Sequence, residues 1–273
     1  MVIPAYAGAL NPPGRRETAL ITGASSGIGL DLAQLMAPGF DLIITARNQA
    51  QLEETARRLQ GQHGNVVHVI PADLSRAEGP QQIFAEIARR ALIVDILVNN
   101  AGFGAYGAFA ETSLASELEM IQLNITSLTH LTKLALPAML ERKRGQILNV
   151  ASTAGFQPGP LMAVYYATKA YVISFTEAIA NELKGSGVNV ICLCPGPTAT
   201  EFGKRADMTE SRLFKMGAMS SVAVAQAAYR SLTSRSSGLL IPGVMNKLLL
   251  QVQRVSPRKM VTAISRSLQE RAD

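Results

Sequence analysis

The sequence predicts an α/β protein with a doubly wound, mostly parallel sheet that carries helices on both faces. Strand-like and helix-like segments alternate along the whole chain, which is the order that such sheets require. Several strand-like segments are continuous apolar runs, as expected for strands that are buried on both faces. The polar and glycine-rich motifs directly follow these runs, at the edge of the sheet where ligands bind.

Seven strands and six helices are predicted from these patterns. The strands are expected at 18–22, 40–46, 66–71, 95–99, 145–151, 188–194 and 239–241. The helices are expected to begin near Gly27, Gln49, Arg76, Ser116, Ala163 and Ser221. A chain of 273 residues is long enough to bury the core of such a seven-stranded sheet.

The first strand runs into a glycine-rich turn and then into a helix. After strand-like Thr18 to Ile21 the chain reads Thr-Gly-Ala-Ser-Ser-Gly-Ile-Gly up to Gly29. Glycines allow a tight turn and a close approach of the backbone to a ligand. The helix that follows would present free N–H groups and its positive dipole end to a pyrophosphate. A plain strand–helix turn is the alternative, but the order strand, turn, helix favours a dinucleotide site.

The end of the second strand indicates which dinucleotide is preferred. An acidic residue there would bind the ribose diol of NAD and repel a phosphate. Here Ala46 takes the place of the acid and Arg47 follows it. A guanidinium group is a good phosphate partner because its paired donors are permanently charged. We therefore expect NADP(H) to be preferred, with NAD(H) possible; the alternative for Arg47 is a solvated side chain that opens a helix.

A tyrosine and a lysine stand four residues apart on a predicted helix. This spacing places Tyr165 and Lys169 on one helical face, and Ser152 lies thirteen positions upstream of the tyrosine. A free phenol has a pKa of about 10, and a neighbouring cation lowers it. Such a tyrosine can exchange a proton with a carbonyl or alcohol oxygen, which a serine hydroxyl can hold in place. Taken alone, the pair would be ordinary helix-surface neighbours.

Together, the glycine-rich turn and the tyrosine–lysine pair resemble the short-chain dehydrogenase/reductase family, in its compact one-domain branch. Further family motifs follow in the family's order between about Thr18 and about Gly243. They are Asp73-Leu74 after the third strand, Asn99-Asn100-Ala101-Gly102 after the fourth, Asn124 on the middle helix, Asn149-Val-Ala-Ser152 ending the fifth and Pro195-Gly196-Pro-Thr198-Ala-Thr200 after the sixth. The resemblance implies a Rossmann-type fold.

The resemblance also implies the site residues, and no catalytic position departs from the family's pattern. The implied catalytic residues are Asn124, Ser152, Tyr165 and Lys169. The implied cofactor-binding residues are Gly23, Ser25, Ser26, Gly27, Ile28, Gly29, Arg47, Asp73, Leu74, Asn100, Ala101, Gly102, Tyr165, Lys169, Pro195, Gly196, Thr198 and Thr200. In the family, an arginine at the position of Arg47 goes with NADP.

By resemblance, each catalytic residue has an expected role. Tyr165 would be the general acid in reduction and the base in oxidation, and Ser152 would orient the carbonyl. Lys169 would lower the pKa of Tyr165 and bind the nicotinamide ribose. Asn124 would hold a water that links Lys169 to solvent; its alternative role is to stabilise a kink in its helix. Tyr166 misses both spacings and is expected to pack in the interior.

These residues predict an NADP(H)-dependent oxidoreductase that transfers a hydride between nicotinamide and a carbonyl or secondary alcohol. A hydrophobic ketone or aldehyde is favoured, because the candidate pocket residues are mostly apolar. They are Phe103, Tyr106, Phe156, Gln157, Leu161 and Met162, with Phe202, Leu213, Phe214, Met216 and Met219 from the loop after Pro195. The alternatives are a catalytically idle NADP-binding sensor or scaffold, and a membrane-associated reductase of a lipid pathway.

Composition excludes several other classes. The residues Val244–Asp273, here called the tail, hold +4 of the formal net charge of +6, so the rest of the chain is nearly balanced and a nucleic-acid partner is not expected. Cys192 and Cys194 alternate on a strand and are expected in the core, which fits a reducing cytoplasm. The three histidines, His63, His68 and His130, have no metal-ligand spacing, so no metal site is predicted.

The chain is expected to comprise an N-terminal extension at 1–16, the dinucleotide-binding and catalytic domain at 17–243, and the tail as two basic amphipathic helices at 244–273. The tail is expected to pack against the domain or a sister subunit, or else to lie on an anionic membrane; it could also cover the substrate pocket. By resemblance the protein would be a homodimer or homotetramer. The long helices near 116–141 and 163–184 would form the interface.

Overall fold

The computed structural model describes residues 14–206, 211–212 and 217–270. Seven strands form one fully parallel sheet, and two further strands of two residues pair beside it. The strands are β1 Thr18–Thr22, β2 Asp41–Thr45, β3 Val67–Val69, β4 Ile96–Asn99, β5 Gly145–Val150, β6 Val188–Leu193, β7 Thr198–Ala199, β8 Met219–Ser220 and β9 Gly238–Leu240. The order β3-β2-β1-β4-β5-β6-β9 reverses at β1, so the doubly wound sheet is confirmed.

Ten α-helices connect and flank these strands in the described part of the chain. They are α1 Gly27–Met36, α2 Gln49–His63, α3 Gly79–Arg89, α4 Leu114–Ile121, α5 Leu128–Glu141, α6 Ala163–Glu182, α7 Glu201–Arg205, α8 Ser221–Thr233, α9 Val244–Val255 and α10 Arg258–Gln269. A π-helical turn at Gln122–Ser127 joins α4 to α5, and a 3₁₀ turn at Thr153–Phe156 follows β5. The last two α-helices form the tail.

The helices cover both faces of the sheet, and each face has its own hydrophobic core. On one face α1, α2 and α8 contribute buried side chains such as Leu32, Leu52 and Val224. On the other face α3 and α5 contribute buried side chains such as Ile83 and Leu131. Because every central strand is covered twice, its sequence reads as an unbroken apolar run rather than an alternating one.

Two helices begin at residues other than the predicted ones, because local hydrogen bonds set their N-termini. Helix α3 begins at Gly79 rather than near Arg76, because the Asp73 carboxylate accepts hydrogen bonds from Ser75 and holds the preceding residues in a turn. A proline in the first turn then suits the helix start. Helix α4 begins two residues before Ser116, where the Ser113 hydroxyl caps its N-terminus.

The tail packs on the domain along one side of each helix. Leu250 of α9 and Val261, Ser265 and Gln269 of α10 are buried. The Gln253 side chain donates a hydrogen bond of 2.8 Å to the carbonyl oxygen of Phe156. The opposite sides of both helices expose large apolar side chains. None of the described helices combines the length and the apolar character that a membrane span needs.

Candidate active site

A cleft of about 820 Å³ opens at the carboxyl edge of the sheet. All the predicted cofactor-binding residues except Gly29 line this cleft. They come from the segments that follow β1, β2, β3, β4 and β6 and from the start of helix α6. The fold therefore gathers residues that are up to 177 positions apart, from Gly23 to Thr200, around one space.

The glycine-rich turn after β1 fits an anionic ligand. Gly23 and Gly27 have positive φ angles of +67° and +56°, a conformation that favours glycine. Ser26 precedes helix α1 without capping it through its side chain, so N–H groups of the first turn are left for a ligand. These N–H groups and the helix dipole would together stabilise a pyrophosphate.

Gly29 serves this turn without reaching the cleft. A Cβ atom at Gly29 would lie 2.5 Å from the Asn100 amide nitrogen and 2.5 Å from the Gly23 carbonyl oxygen. Only glycine therefore permits helix α1 to start this close to the end of β4. The predicted role of Gly29 in cofactor binding is thus an indirect one, through the shape of the turn.

Thr22 and Asn100 tie the glycine-rich turn to the neighbouring strand. The Asn100 amide group donates to the carbonyl oxygen of Thr22 at 2.8 Å, and the Thr22 hydroxyl accepts from the backbone N–H groups of Asn100 and Ala101 at 2.9 Å each. The Thr22 hydroxyl also donates to the carbonyl oxygen of Val98. These hydrogen bonds hold the glycine-rich turn against the segment that follows β4. Thr22 is the first residue of the glycine-rich motif, but it was not among the predicted site residues.

Arg47 lines the cleft where strand β2 ends. Its side chain is exposed, and it precedes Asn48, whose side chain caps helix α2. Asp73, which follows the adjacent strand β3, lines the same part of the cleft. Burial acts to raise the pKa of Asp73, but hydrogen bonds from Ser75 and the charges of Arg47 and Arg76 hold it below its usual value. This end of the cleft therefore pairs a fixed cation with an ionised carboxylate.

Tyr165, Ser152 and Lys169 converge on the opposite end of the cleft. Ser152 ends the segment after β5, where its hydroxyl caps the 3₁₀ turn by accepting from the Ala154 N–H at 3.1 Å. The Tyr165 phenol forms a hydrogen bond with Ser152. The Lys169 ammonium lies 5.7 Å from the centre of the Tyr165 ring and donates a 2.8 Å bond to the carbonyl oxygen of Val150. The three groups that the motifs predicted are thus brought together.

Burial shifts the pKa values of this pair in opposite directions. Burial raises the pKa of the Tyr165 phenol, although the hydrogen bond with Ser152 opposes the shift. Burial also lowers the pKa of Lys169 to about 8, although the nearby Cys192 and Cys194 act to raise it. Burial therefore dominates the pKa of the phenol in this structure. The expected lowering of that pKa by Lys169 stays a prediction.

Asn124 is buried and does not line the cleft. It lies in the π-helical turn, and its amide group exchanges hydrogen bonds with the backbone of Phe103 at 2.9 and 3.2 Å. The same amide donates to the Thr168 hydroxyl at 3.1 Å. The side chain thus ties the segment after β4 to helix α6, next to Lys169. This geometry agrees with the structural alternative for Asn124, and its part in a proton relay stays a prediction.

The candidate substrate pocket contains fewer of the expected residues and several unexpected ones. Phe103, Gln157 and Phe202 line the cleft, whereas Tyr106, Phe156, Leu161, Met162 and Met219 do not, and Leu213, Phe214 and Met216 lie outside the described residues. Tyr166 is buried beneath Gly159, as expected, and also reaches the cleft wall. The further lining comes from the tail, which agrees with the expected alternative that the tail covers the substrate pocket. The amphipathic pattern did not say which tail residues would line it, because periodicity does not identify the surface that a helix covers.

The chain is similar to proteins of known family over most of its length. The sequence profile of the family described as short chain dehydrogenase matches residues 17–211. Among curated proteins, the ketoacyl reductase HetN of Nostoc sp. is 31% identical over 247 residues, which cover 88% of this chain and 85% of that protein.

Two solved structures share the fold. A short-chain dehydrogenase from Sphingobium yanoikuyae in complex with NADPH is 30% identical, with a TM-score of 0.76, over 89% of this chain and 97% of that one. The bulky-bulky ketone specific alcohol dehydrogenase from Comamonas testosteroni is 29% identical, with a TM-score of 0.74, over 87% of this chain and 92% of that one. The similarity therefore extends over most of the chain and is not confined to the glycine-rich turn and its neighbours.

Proposed function

The chain belongs to the short-chain dehydrogenase/reductase family, and from that membership we propose that it is an NADP(H)-dependent reductase of a hydrophobic ketone or aldehyde. Members of this family are oxidoreductases that bind nicotinamide cofactors and act on carbonyl or alcohol groups. One observation carries the proposal. Tyr165, Ser152 and Lys169 meet at one end of a cleft whose other end holds Arg47 and the glycine-rich turn.

In this mechanism Tyr165 donates its proton to the oxygen of the substrate carbonyl. Ser152, which already bonds to the phenol, holds the same oxygen in place. The nicotinamide ring would supply the hydride to the carbonyl carbon. The phenol of Tyr165 is protonated at neutral pH, as a proton donor must be, although burial raises its pKa and so makes it a weaker acid.

Lys169 would act after the proton has left. Its ammonium lies beside the phenol ring, so it would stabilise the phenolate that remains. With a pKa of about 8, Lys169 is protonated at neutral pH but close enough to its titration to release a proton. Lys169 would therefore both balance the charge on Tyr165 and help to restore its proton.

The preference for NADP(H) rests on Arg47 and on the absence of an acid at Ala46. Both residues line the cleft. A guanidinium–phosphate contact is a charge-assisted hydrogen bond worth about 1.5–3 kcal/mol, or roughly ten- to a hundred-fold in affinity. The solved relative from Sphingobium yanoikuyae is a complex with NADPH, which supports the same assignment.

The preference for a hydrophobic substrate rests on the lining of the catalytic end. Phe103, Tyr166 and Phe202 contribute aromatic surface there, and no described Lys or Arg other than Lys169 and Arg47 lines the cleft. The likeness to a ketoacyl reductase and to a dehydrogenase specific for bulky ketones supports a carbonyl flanked by apolar groups.

The cofactor assignment is tested by titrating purified protein with NADPH and with NADH. We expect tighter binding of NADPH and a loss of about ten- to a hundred-fold in Arg47→Ala, with NADH binding unchanged. Arg58→Ala is the matched control, because Arg58 is an exposed arginine of helix α2 that does not line the cleft. Equal binding of the two cofactors by the wild type would contradict the assignment. Tight NADPH binding without turnover of any ketone or aldehyde would instead favour the sensor or scaffold.

A second candidate is the same reductase working at a membrane surface. Val244, Met245 and Leu248 form an exposed apolar side of helix α9, and the cations Lys247 and Arg254 lie beside it on the same helix. Such a helix binds anionic bilayers through buried apolar area and charge attraction. We expect co-sedimentation with vesicles that contain phosphatidylglycerol but not with pure phosphatidylcholine, and its loss in a Met245→Gln, Leu248→Gln double variant. Equal recovery of protein with and without anionic vesicles would exclude this candidate.

A further inference from the structure

The tail forms one wall of the catalytic cleft. Six apolar side chains from its two helices line the cleft: Leu249, Leu250, Val252, Val261, Ile264 and Leu268. None of the described tail residues that line the cleft is charged, although the tail carries six cations in all. The charged side chains of the tail therefore lie outside the cleft lining, to which the tail contributes apolar and uncharged polar side chains.

Polar contacts hold this wall against the catalytic elements. The Gln269 side chain of α10 donates to the Tyr166 hydroxyl, and the Tyr166 ring lies 6.0 Å from the Tyr165 ring, edge to face. At the start of α9, Asn246 lies against the segment after β6. A Cβ atom at Gly196 would be only 2.6 Å from the Asn246 side-chain oxygen. The wall is thus directly continuous with the reacting end of the cleft.

Three of these apolar side chains are not covered by the protein. Leu249, Val252 and Ile264 are 58%, 56% and 52% exposed although they line the cleft. Apolar surface left open to water inside a cleft gains free energy when a ligand covers it. The wall offers no charged side chain, and its polar members are the uncharged Asn246, Gln253 and Ser256. It therefore favours a ligand group that is uncharged and largely apolar.

From this geometry we propose that the tail forms a subsite for an aliphatic chain attached to the substrate carbonyl. The inference rests on the proposed function and narrows its substrate class to ketones, or acyl groups, with a long alkyl chain. The carbonyl would lie at Tyr165 and Ser152, and the chain would extend along α9 and α10. Continuity with the reacting groups distinguishes this wall from a surface for a second protein.

The chain-length dependence of the reaction tests the subsite. Each methylene transferred from water to an apolar surface improves affinity by about fourfold. With NADPH and a series from butan-2-one to decan-2-one, we expect kcat/KM of the wild type to rise by up to this factor per methylene. The dissociation constants of the same ketones, measured by calorimetry, should fall in parallel, which gives a readout that does not require turnover.

Two variants of helix α10 separate the subsite from a general effect. Ile264→Gln should lower kcat/KM for decan-2-one about tenfold and flatten the series, because a polar group without a partner would face the chain. Met260→Gln is the control: Met260 is 47% exposed on the same helix but does not line the cleft, so the rise should persist. Both positions are exposed, so both variants are expected to fold.

The outcomes distinguish the subsite from the proposed function. If butan-2-one is reduced but neither kcat/KM nor the dissociation constant changes along the series, the subsite is refuted and the reductase stands. The same holds if Ile264→Gln keeps the wild-type rise. If no ketone is reduced but the dissociation constants still fall with chain length, the subsite stands and the proposed reaction is wrong.

Discussion

The Nζ atom of Lys169 donates a hydrogen bond of 2.8 Å to the carbonyl oxygen of Val150, two residues before Ser152. This bond joins helix α6 to the end of strand β5. Since Tyr165 lies one turn before Lys169 on the same helix, it also sets the position of the phenol relative to the Ser152 hydroxyl. The three reacting side chains are therefore positioned by two packed elements, which this buried hydrogen bond joins.

Replacing the reacting phenol should separate binding from turnover. In Tyr165→Phe we expect the rate of carbonyl reduction to fall by about 10²- to 10⁴-fold, because the proton donor is lost, with little change in NADPH affinity. Tyr166→Phe should keep its turnover of a short ketone but lose about 1 kcal/mol in the free energy of unfolding, because its hydroxyl bonds to Gln269. Steady-state kinetics and urea denaturation measure the two effects. Comparable turnover by Tyr165→Phe and the wild type would refute the assignment.

The pH dependence of reduction should report the ionisation of Lys169. Its pKa is lowered to about 8, so the ammonium is present below this pH and is lost above it. We expect kcat/KM for reduction to fall as the pH rises through about 8. In Lys169→Arg the guanidinium keeps its charge, so the alkaline decline should move up by more than one pH unit even if the rate is lower. A decline at the same pH in both proteins would assign it to another group.

The same shift makes the stability of the protein depend on pH. The unfolded lysine holds its proton up to its ordinary pKa of 10.5, whereas the folded one releases it at about 8. Between these values the unfolded state binds more protons, so the free energy of unfolding rises with pH. Relative to Lys169→Met, the wild type should gain about 2 kcal/mol between pH ~7.5 and pH ~9.5. Urea denaturation of both proteins at the two pH values measures this gain, and parallel curves would contradict it.

The glycine-rich turn should be sensitive to a single methyl group at Gly29, whereas Gly39, which lies outside the turn, should tolerate one. Gly29→Ala would place a Cβ atom against the Gly23 carbonyl oxygen and the Asn100 amide, so we expect a loss of about 1–3 kcal/mol in stability and weaker NADPH binding. Gly39→Ala is the control, because no atom lies within 4 Å of its added Cβ; its stability should change by less than about 0.5 kcal/mol. Thermal unfolding and NADPH titration of both variants provide the comparison.

Self-association should occur through helices α4, α5 and α6. Leu118, Ile121 and Tyr171 are large side chains that these helices leave exposed, and exposed apolar surface of this kind marks an interface. We expect a homodimer or homotetramer in sedimentation velocity, and a smaller species for Leu118→Arg, Tyr171→Arg. Val222→Arg changes an exposed valine of α8 and should leave the assembly intact. A wild-type monomer at all concentrations would exclude this interface.

Most of the fold could be predicted because local patterns encode it. Each of the seven strands of the main sheet was expected within two residues of its observed ends, since an apolar run between turn residues defines a buried strand. The π-helical turn around Asn124 was not expected, because one extra residue in a helical turn leaves the apolar pattern nearly unchanged. Its consequence is that Asn124 points at Phe103 and Thr168 rather than into the cleft.

The order of the motifs, the glycine-rich turn and the common helical face of Tyr165 and Lys169 follow from spacing along the chain. The pKa shifts follow instead from tertiary packing, because burial raises the pKa of Tyr165 and lowers that of Lys169. Tertiary packing also places Leu249, Val252 and Ile264 at the cleft rather than in the core. The desolvation of a side chain, and its place in the lining of the cleft, depend on which distant segments pack against it. No local sequence pattern contains that information.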